Sequence, residues 1–171
     1  MLERLTSAIA ANRFGLGARP GELDAIGGNG RDWLRIQLKG PPPQIAEAQL
    51  RSSADILVEA LDLRREIRAA RQAQSAGDAA AVLMKVPQLL RPIYTQEATA
   101  RFRQAVGTDR PFLERLTQFW TNHFAVSVDK SLLLGLAGSF EREAIRPHVL
   151  GNFSDLLLAV ETHPAMLLYL D

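Results

Sequence analysis

Asp55-Ile56-Leu57-Val58-Glu59-Ala60-Leu61-Asp62-Leu63-Arg64-Arg65-Glu66-Ile67-Arg68-Ala69-Ala70-Arg71 is the stretch that decides the fold class. Ile56, Leu57, Ala60, Leu61, Leu63 and Ile67 return at the three- and four-residue steps of one helical face. A half-buried strand would alternate apolar and polar residues, and this stretch does not. The whole segment from Gln44 to Ser75 reads as one or two longer helices. Arg64, Arg68 and Arg71 share another face of it, at spacings of four and three. Three guanidinium groups in line suit a phosphate or an acidic partner. They equally suit a solvated face balanced by Glu59, Asp62 and Glu66, a reading that needs no ligand.

Working outward, the same helical pattern repeats in both directions. Towards the N-terminus, residues 2–13 form a first helix that Gly15 and Gly17 end. Pro20 opens a short helix through Ile26, closed by Gly27 and Gly28. Asn29 caps a third helix carrying Trp33, Leu34 and Leu38, which Gly40 and Pro41 to Pro43 stop. Towards the C-terminus, Gly77-Asp78 breaks the chain, with Asp78 capping the next helix. Pro87 and Pro92 are expected to kink or interrupt it, since each lacks an N–H and crowds the preceding turn. A helix resumes over Ile93–Val106 and ends at Gly107-Thr108-Asp109. Asp109 is the expected N-cap of a helix reaching Phe124, with Pro111 in its first turn. After a loop at Ser127-Val128-Asp129, a helix loosened by Gly135 and Gly138 runs to Ile145. Pro147 marks a boundary. Asn152 or Ser154 caps a helix through Glu161, and Pro164 starts a last short one.

The class is therefore all-α, an irregular multi-helix array without a bundle repeat. Residues 1–171 read as a single helical region, subdivided into short helices (1–40), long helices (44–106) and a site-bearing part (109–171). The chain has 171 residues, 47% of them hydrophobic, enough for a sizeable core. Twenty basic against 19 acidic residues leave a formal charge of +1, which gives no global attraction to nucleic acid or anionic membrane. Seventeen of the basic residues are arginines, scattered along the chain in the manner of a coding bias. With no cysteine, thiolate metal sites and cysteine nucleophiles are excluded. No apolar run approaches the roughly 18 residues of a membrane span, and Met1 to Leu5 lacks the apolar core of a secretory signal. The default compartment on these grounds is the cytoplasm.

Chemistry concentrates late. His123, His148 and His163 all fall in the last third, together with Trp120, Asn122, Glu141, Arg142, Glu143 and Arg146. Imidazole titrates nearest neutrality and is the commonest metal ligand. His123 shares a helical face with Leu116, Phe119 and Trp120, so it is expected to be largely buried, with a ring nitrogen bonded. Arg142 and Arg146 are one helical turn apart, and so are Glu143 and Arg146. On a solvated face such pairs are local and weak; on a buried face every charge must find a partner. The candidate catalytic set is His123, His148 and Glu143, with Trp120, Asn122, Arg142 and Arg146 as binding residues. Metal and cofactor stay undetermined: the histidines lie 25 and 15 residues apart, spacings that specify no site. No nucleophile-elbow, phosphate-loop or dinucleotide-binding motif occurs.

Several phrases recur together in one bacterial family. They are Asn12-Arg13-Phe14-Gly15-Leu16-Gly17, Phe119-Trp120-Thr121-Asn122-His123-Phe124 and Phe140-Glu141-Arg142-Glu143-Ala144-Ile145-Arg146-Pro147-His148. A fourth runs Gly151-Asn152-Phe153-Ser154-Asp155-Leu156-Leu157, followed by His163-Pro164-Ala165-Met166-Leu167-Leu168-Tyr169-Leu170-Asp171. On these the chain resembles the N-terminal part of the family catalogued as "domain of unknown function 1800". Two positions depart from the pattern: Thr121 stands where a His or another polar residue is expected, and Phe140 where Tyr is common. The stretch from about Pro41 to Asp109 carries no matching phrase. The resemblance implies a large, helical, often exported protein without an assigned activity, commonly encoded beside a second uncharacterised one. It also implies a longer chain, of which these residues would be an N-terminal fragment.

The function expected from these readings is that of a helical structural or interaction segment. The alternative is part of a hydrolase-like or metal-assisted enzyme completed beyond residue 171. A phosphate or nucleic-acid binder acting through Arg64, Arg68 and Arg71 is disfavoured by the neutral charge. Leu156, Leu157, Val160, Met166, Leu167, Leu168 and Leu170 crowd the last residues and exceed one narrow stripe. An exposed apolar patch over residues 153–170 is therefore expected, to be covered by the remainder of the chain or by a partner protein.

Overall fold

The computed structural model describes residues 1–45, 49–73 and 76–171, and of Ala76, Asp78 and Ala79 the backbone alone. Every regular element among them is helical. Three short helices come first: α1 (Leu2–Phe14), α2 (Glu22–Ile26) and α3 (Gly30–Gln37), packed on one another. The first family phrase stops α1. A Cβ at Gly15 would lie 2.7 Å from the Ala11 carbonyl oxygen, and Gly17 takes φ +100°, which disfavours a side chain. At the start of α3 the Asn29 side chain accepts the Asp32 N–H, as the capping pattern predicts.

Two long helices follow, α4 (Ser53–Gln72) and α5 (Ala76–Gly107). Ser52 caps α4 by accepting the Asp55 N–H at 3.1 Å. The break expected at Gly77-Asp78 falls inside the first turn of α5, and the cap expected of Asp78 lies outside the described side chains. The interruption expected at Pro87 and Pro92 is not found: α5 runs through both. Each proline withdraws one intrahelical hydrogen bond, at a cost of about 3 kcal/mol. Val86, Leu90 and Ile93 beside them are buried in the main core, and that packing keeps the helix whole.

Next come α6 (Pro111–His123) and α7 (Leu133–Phe140), then a π-turn (Glu141–Ile145) and a 3-10 turn (Arg146–His148). Finally α8 (Phe153–Thr162) and α9 (Pro164–Leu170) close the array. The N-cap of α6 is Arg110, not the expected Asp109, and Thr108 Oγ1 accepts the Arg110 N–H at 3.0 Å. Gly135 and Gly138 do not loosen α7. They let it press against its neighbours: a Cβ at Gly135 would meet Leu90 Cδ2 at 2.8 Å, and one at Gly138 would overlap Glu97. The core gathers Ile56 of α4, Leu90 of α5, Leu136 and Phe140 of α7, Ile145 of the π-turn, and Leu156 and Val160 of α8. No helix among the described residues is long and apolar enough to cross a membrane.

Candidate functional site: an ion-pair frame and its cleft

The helix that begins as α7 widens at Glu141. The Arg146 N–H donates to the Glu141 carbonyl five residues back, closing a π-turn. Residues five apart in an α-helix lie about 140° apart around the axis. The wider turn returns them to one side, so Arg146 Nε reaches Glu141 Oε1 at 3.0 Å. The rest of the guanidinium forks onto Glu114 of α6, at 2.7 and 2.8 Å. Both side chains of that pair are 1% exposed. Burial pushes the Arg146 pKa down, but Glu114 and Glu141 outweigh it and the pKa stands above the ordinary arginine value. The other Glu141 oxygen takes Arg101 of α5 at 2.8 Å and the Thr121 hydroxyl at 3.2 Å.

A second set lies on the next face of the same turn. Arg142 pairs with the buried Glu97 at 2.8 Å and donates to the Arg51 carbonyl at 2.6 Å. Its Nε is buried without a partner among the described residues. Glu143 sits on the N-terminus of α4, where it accepts the Ser53 N–H at 3.0 Å and the Ser53 hydroxyl at 2.6 Å. His163 Nε2 stands 3.4 Å from Oε2, the oxygen that also takes the Ser53 hydroxyl. His163 Nδ1 accepts the Ala165 N–H, so the neutral ring carries its proton on Nε2, facing the carboxylate. Burial alone would raise the Glu143 pKa. The bonds from His163 and Ser53, with the charge of Arg142, reverse that and lower it to about 2.

Beside this frame opens a cleft of about 400 Å³ between α5, α6 and α7. Tyr94, Glu97, Arg101, Thr121, Asn122 and Glu141 are its polar lining, set among apolar walls that include Val126 and Phe140. Two of the family phrases therefore meet here, one supplying Thr121 and Asn122, the other Phe140 and Glu141.

The sequence-derived residues divide among these places. Arg142, Glu143 and Arg146 belong to the frame, and Asn122 to the cleft. Arg146 pairs with Glu141 and Glu114, not with Glu143 as α-helical spacing suggested. His123 corrects an expectation: it is exposed, and its ring makes contacts with Phe119, Trp120 and Phe124 but no hydrogen bond among the described residues. At the end of α6 its imidazole lies on the outer edge of the apolar stripe. His148 is half-buried, and its ring has no polar partner among the described residues. The histidine that meets Glu143 is His163, in place of His123 or His148. No group of three or more His, Asp or Glu among the described residues is placed to hold a metal ion.

Sequence reasoning missed Glu97, Arg101, Glu114 and Ser53. Two carried a signal. Glu114, Thr117 and Thr121 fall on one face of α6 at steps of three and four, a polar line beside the apolar one. Glu97 lies four residues after Ile93 and three before Ala100, on the buried face of α5. An acid in such a register needs a buried cation.

The fold and the frame define an all-helical protein built around buried arginine–carboxylate pairs. Residues 9–171 match the family described as "Protein of unknown function (DUF1800)", and the chain belongs to that family. Neither the curated proteins nor the solved structures contain a match to it.

Proposed function

We propose that this chain is a helical interaction segment, in which the buried frame holds an apolar face in place for another protein surface. The observation that carries this is the outer side of α8 and α9. Phe153, Leu158, Leu167 and Leu170 are 53%, 66%, 57% and 69% exposed. Phe153 turns towards α6, its ring 5.7 Å from that of Trp120, which in turn contacts the exposed Phe119. Leaving large side chains wet has a cost of roughly 1.5–3 kcal/mol each relative to burial, which a docked surface removes. The occupant fits as another segment of the same polypeptide or as a second protein.

The enzymatic alternative through His123, His148 and Glu143 has less support. A carboxylate with a pKa of about 2 is a weak base near neutrality, and its neighbours occupy both oxygens. A photo-crosslinking residue at position 158 or 167, in the protein made from its natural gene, tests the reading. Crosslinks mapped to an apolar surface, in the same polypeptide or a partner, are expected from both positions, and none from Glu161. If positions 158 and 167 react with water alone, the docking reading is wrong.

A further inference from the structure

Away from the frame, α4, α5, α9 and the loop before α7 enclose a second cleft, of about 350 Å³. Ile67 of α4, Leu83 and Val86 of α5, Leu132 of the loop and Leu168 of α9 give it apolar walls. Arg64, Arg71 and Lys130 line it as well, against one carboxylate, that of Asp171. This local excess of positive charge stands out in a chain whose total is only +1.

The two arginines are poorly satisfied. Arg64 stands 3.9 Å from Asp171, with both side chains more than half exposed, so the pair is weak. The Arg71 guanidinium has no ion pair or hydrogen bond among the described residues. Lys130 Nζ is tied to the last turn of α9 through the Leu168 and Tyr169 carbonyls, at 3.2 and 2.8 Å, and retains one ammonium hydrogen. Arg64 and Arg71 are two turns apart on one face of α4, and Ile67 lies between them. Cation, apolar wall and cation therefore follow one another along the mouth. Arg68, on the same sequence stripe, does not line the cleft; Lys130 supplies the third charge.

We infer that this cleft binds a single-chain anionic amphiphile, an acyl carboxylate or acyl phosphate. The acyl chain lies against Ile67, Leu83 and Leu168, and the head group sits at the Arg71 end of the mouth, where the planar guanidinium fork matches carboxylate and phosphate oxygens. A neutral apolar ligand would leave the cations unused. A bare anion would leave the walls in water. This inference is independent of the docking face, which uses Leu167 and Leu170 of α9 where the cleft uses Leu168.

The test is calorimetric titration of the chain with decanoate below its micelle concentration, beside decanol, inorganic phosphate and anionic phospholipid vesicles. Saturable one-to-one binding of decanoate is expected, with Arg71→Glu weakening it roughly tenfold or more. Leu83→Glu, a change at an exposed position, should weaken it similarly, and thermal unfolding of both variants should match the parent. Decanol binding as tightly as decanoate would overturn the role of the cations. Phosphate binding as tightly would overturn that of the walls. Vesicle binding without decanoate binding would replace the cleft by a membrane-facing patch, and also overturns the inference.

Discussion

At Arg146, three carboxylate oxygens of Glu114 and Glu141 take the place of water. Removing the guanidinium leaves the buried Glu114 without its cation and facing Glu141, which keeps only Arg101. Arg146→Ala should therefore destabilise the fold by about 3–5 kcal/mol in urea unfolding. Arg146→Lys should restore little, because a point charge cannot fork onto Glu114. A loss below about 1 kcal/mol for Arg146→Ala would show that the pair is not the anchor described. Glu143 makes a prediction in pH. Its pKa falls from 4.5 to about 2 on folding, so its contribution is present above pH 4.5 and is lost as pH drops through about 2. Discounted for the solvent screening of a half-buried group, the full amount is on the order of 1–2 kcal/mol. Stability measured between pH 5 and 2 should fall more steeply in the parent than in Glu143→Gln, and parallel curves would contradict the assignment.

At the scale of elements, the contact of α7 with α5 depends on the absence of a side chain at Gly138. A methyl there overlaps the first carbons of Glu97, which cannot swing aside without leaving Arg142. Gly138→Ala should cost about 1–3 kcal/mol in thermal unfolding. Gly135→Ala should cost less, since the atom nearest its Cβ is the rotatable Leu90 Cδ2 at 2.8 Å, where a Cβ at Gly138 overlaps the Glu97 Cβ. The reverse order would mean that Glu97 is free to move. The helices themselves were legible wherever a cap or glycine marks the boundary, as at Gly15, Asn29 and Gly107. The interruption allowed for at Pro87 and Pro92 did not occur, because propensity describes an isolated helix and α5 is held by its neighbours. The π-turn was illegible for a related reason: Glu141 and Arg146 are not partners at α-helical spacing.

At the scale of the whole molecule, α1–α3 join α6 and its leading loop through polar bonds, beside an edge-to-face contact of Phe14 with Phe112. Arg110 Nε donates to the Gln37 carbonyl at 2.8 Å, and the Phe112 N–H to Gln37 Oε1 at 2.8 Å. Arg115 holds the Gly15 carbonyl at 2.8 Å, which ties the first family phrase to α6. Arg110→Ala should lower the hydrogen-exchange protection of α1–α3 by roughly 1–3 kcal/mol while α5 and α7 keep theirs. A uniform loss across all helices would show that the two parts open together.

The sequence by itself determined the helical class, most helix limits and the family, because these rest on local periodicity, caps and contiguous phrases. It also singled out Arg142, Glu143 and Arg146, three of the charges in the frame. It did not determine the partners of those charges. Glu97 of α5, Glu114 of α6 and Ser53 of α4 lie tens of residues away, and no spacing rule connects them. His123 and His163 show the same limit: each is a histidine beside apolar residues, one exposed on the outer edge of α6, the other buried against Phe140 and Glu143. Only the packing of α6 and α9 on the core decides which imidazole is shielded from water and which is not, since burial depends on what covers a helix face and not on the residues that compose it.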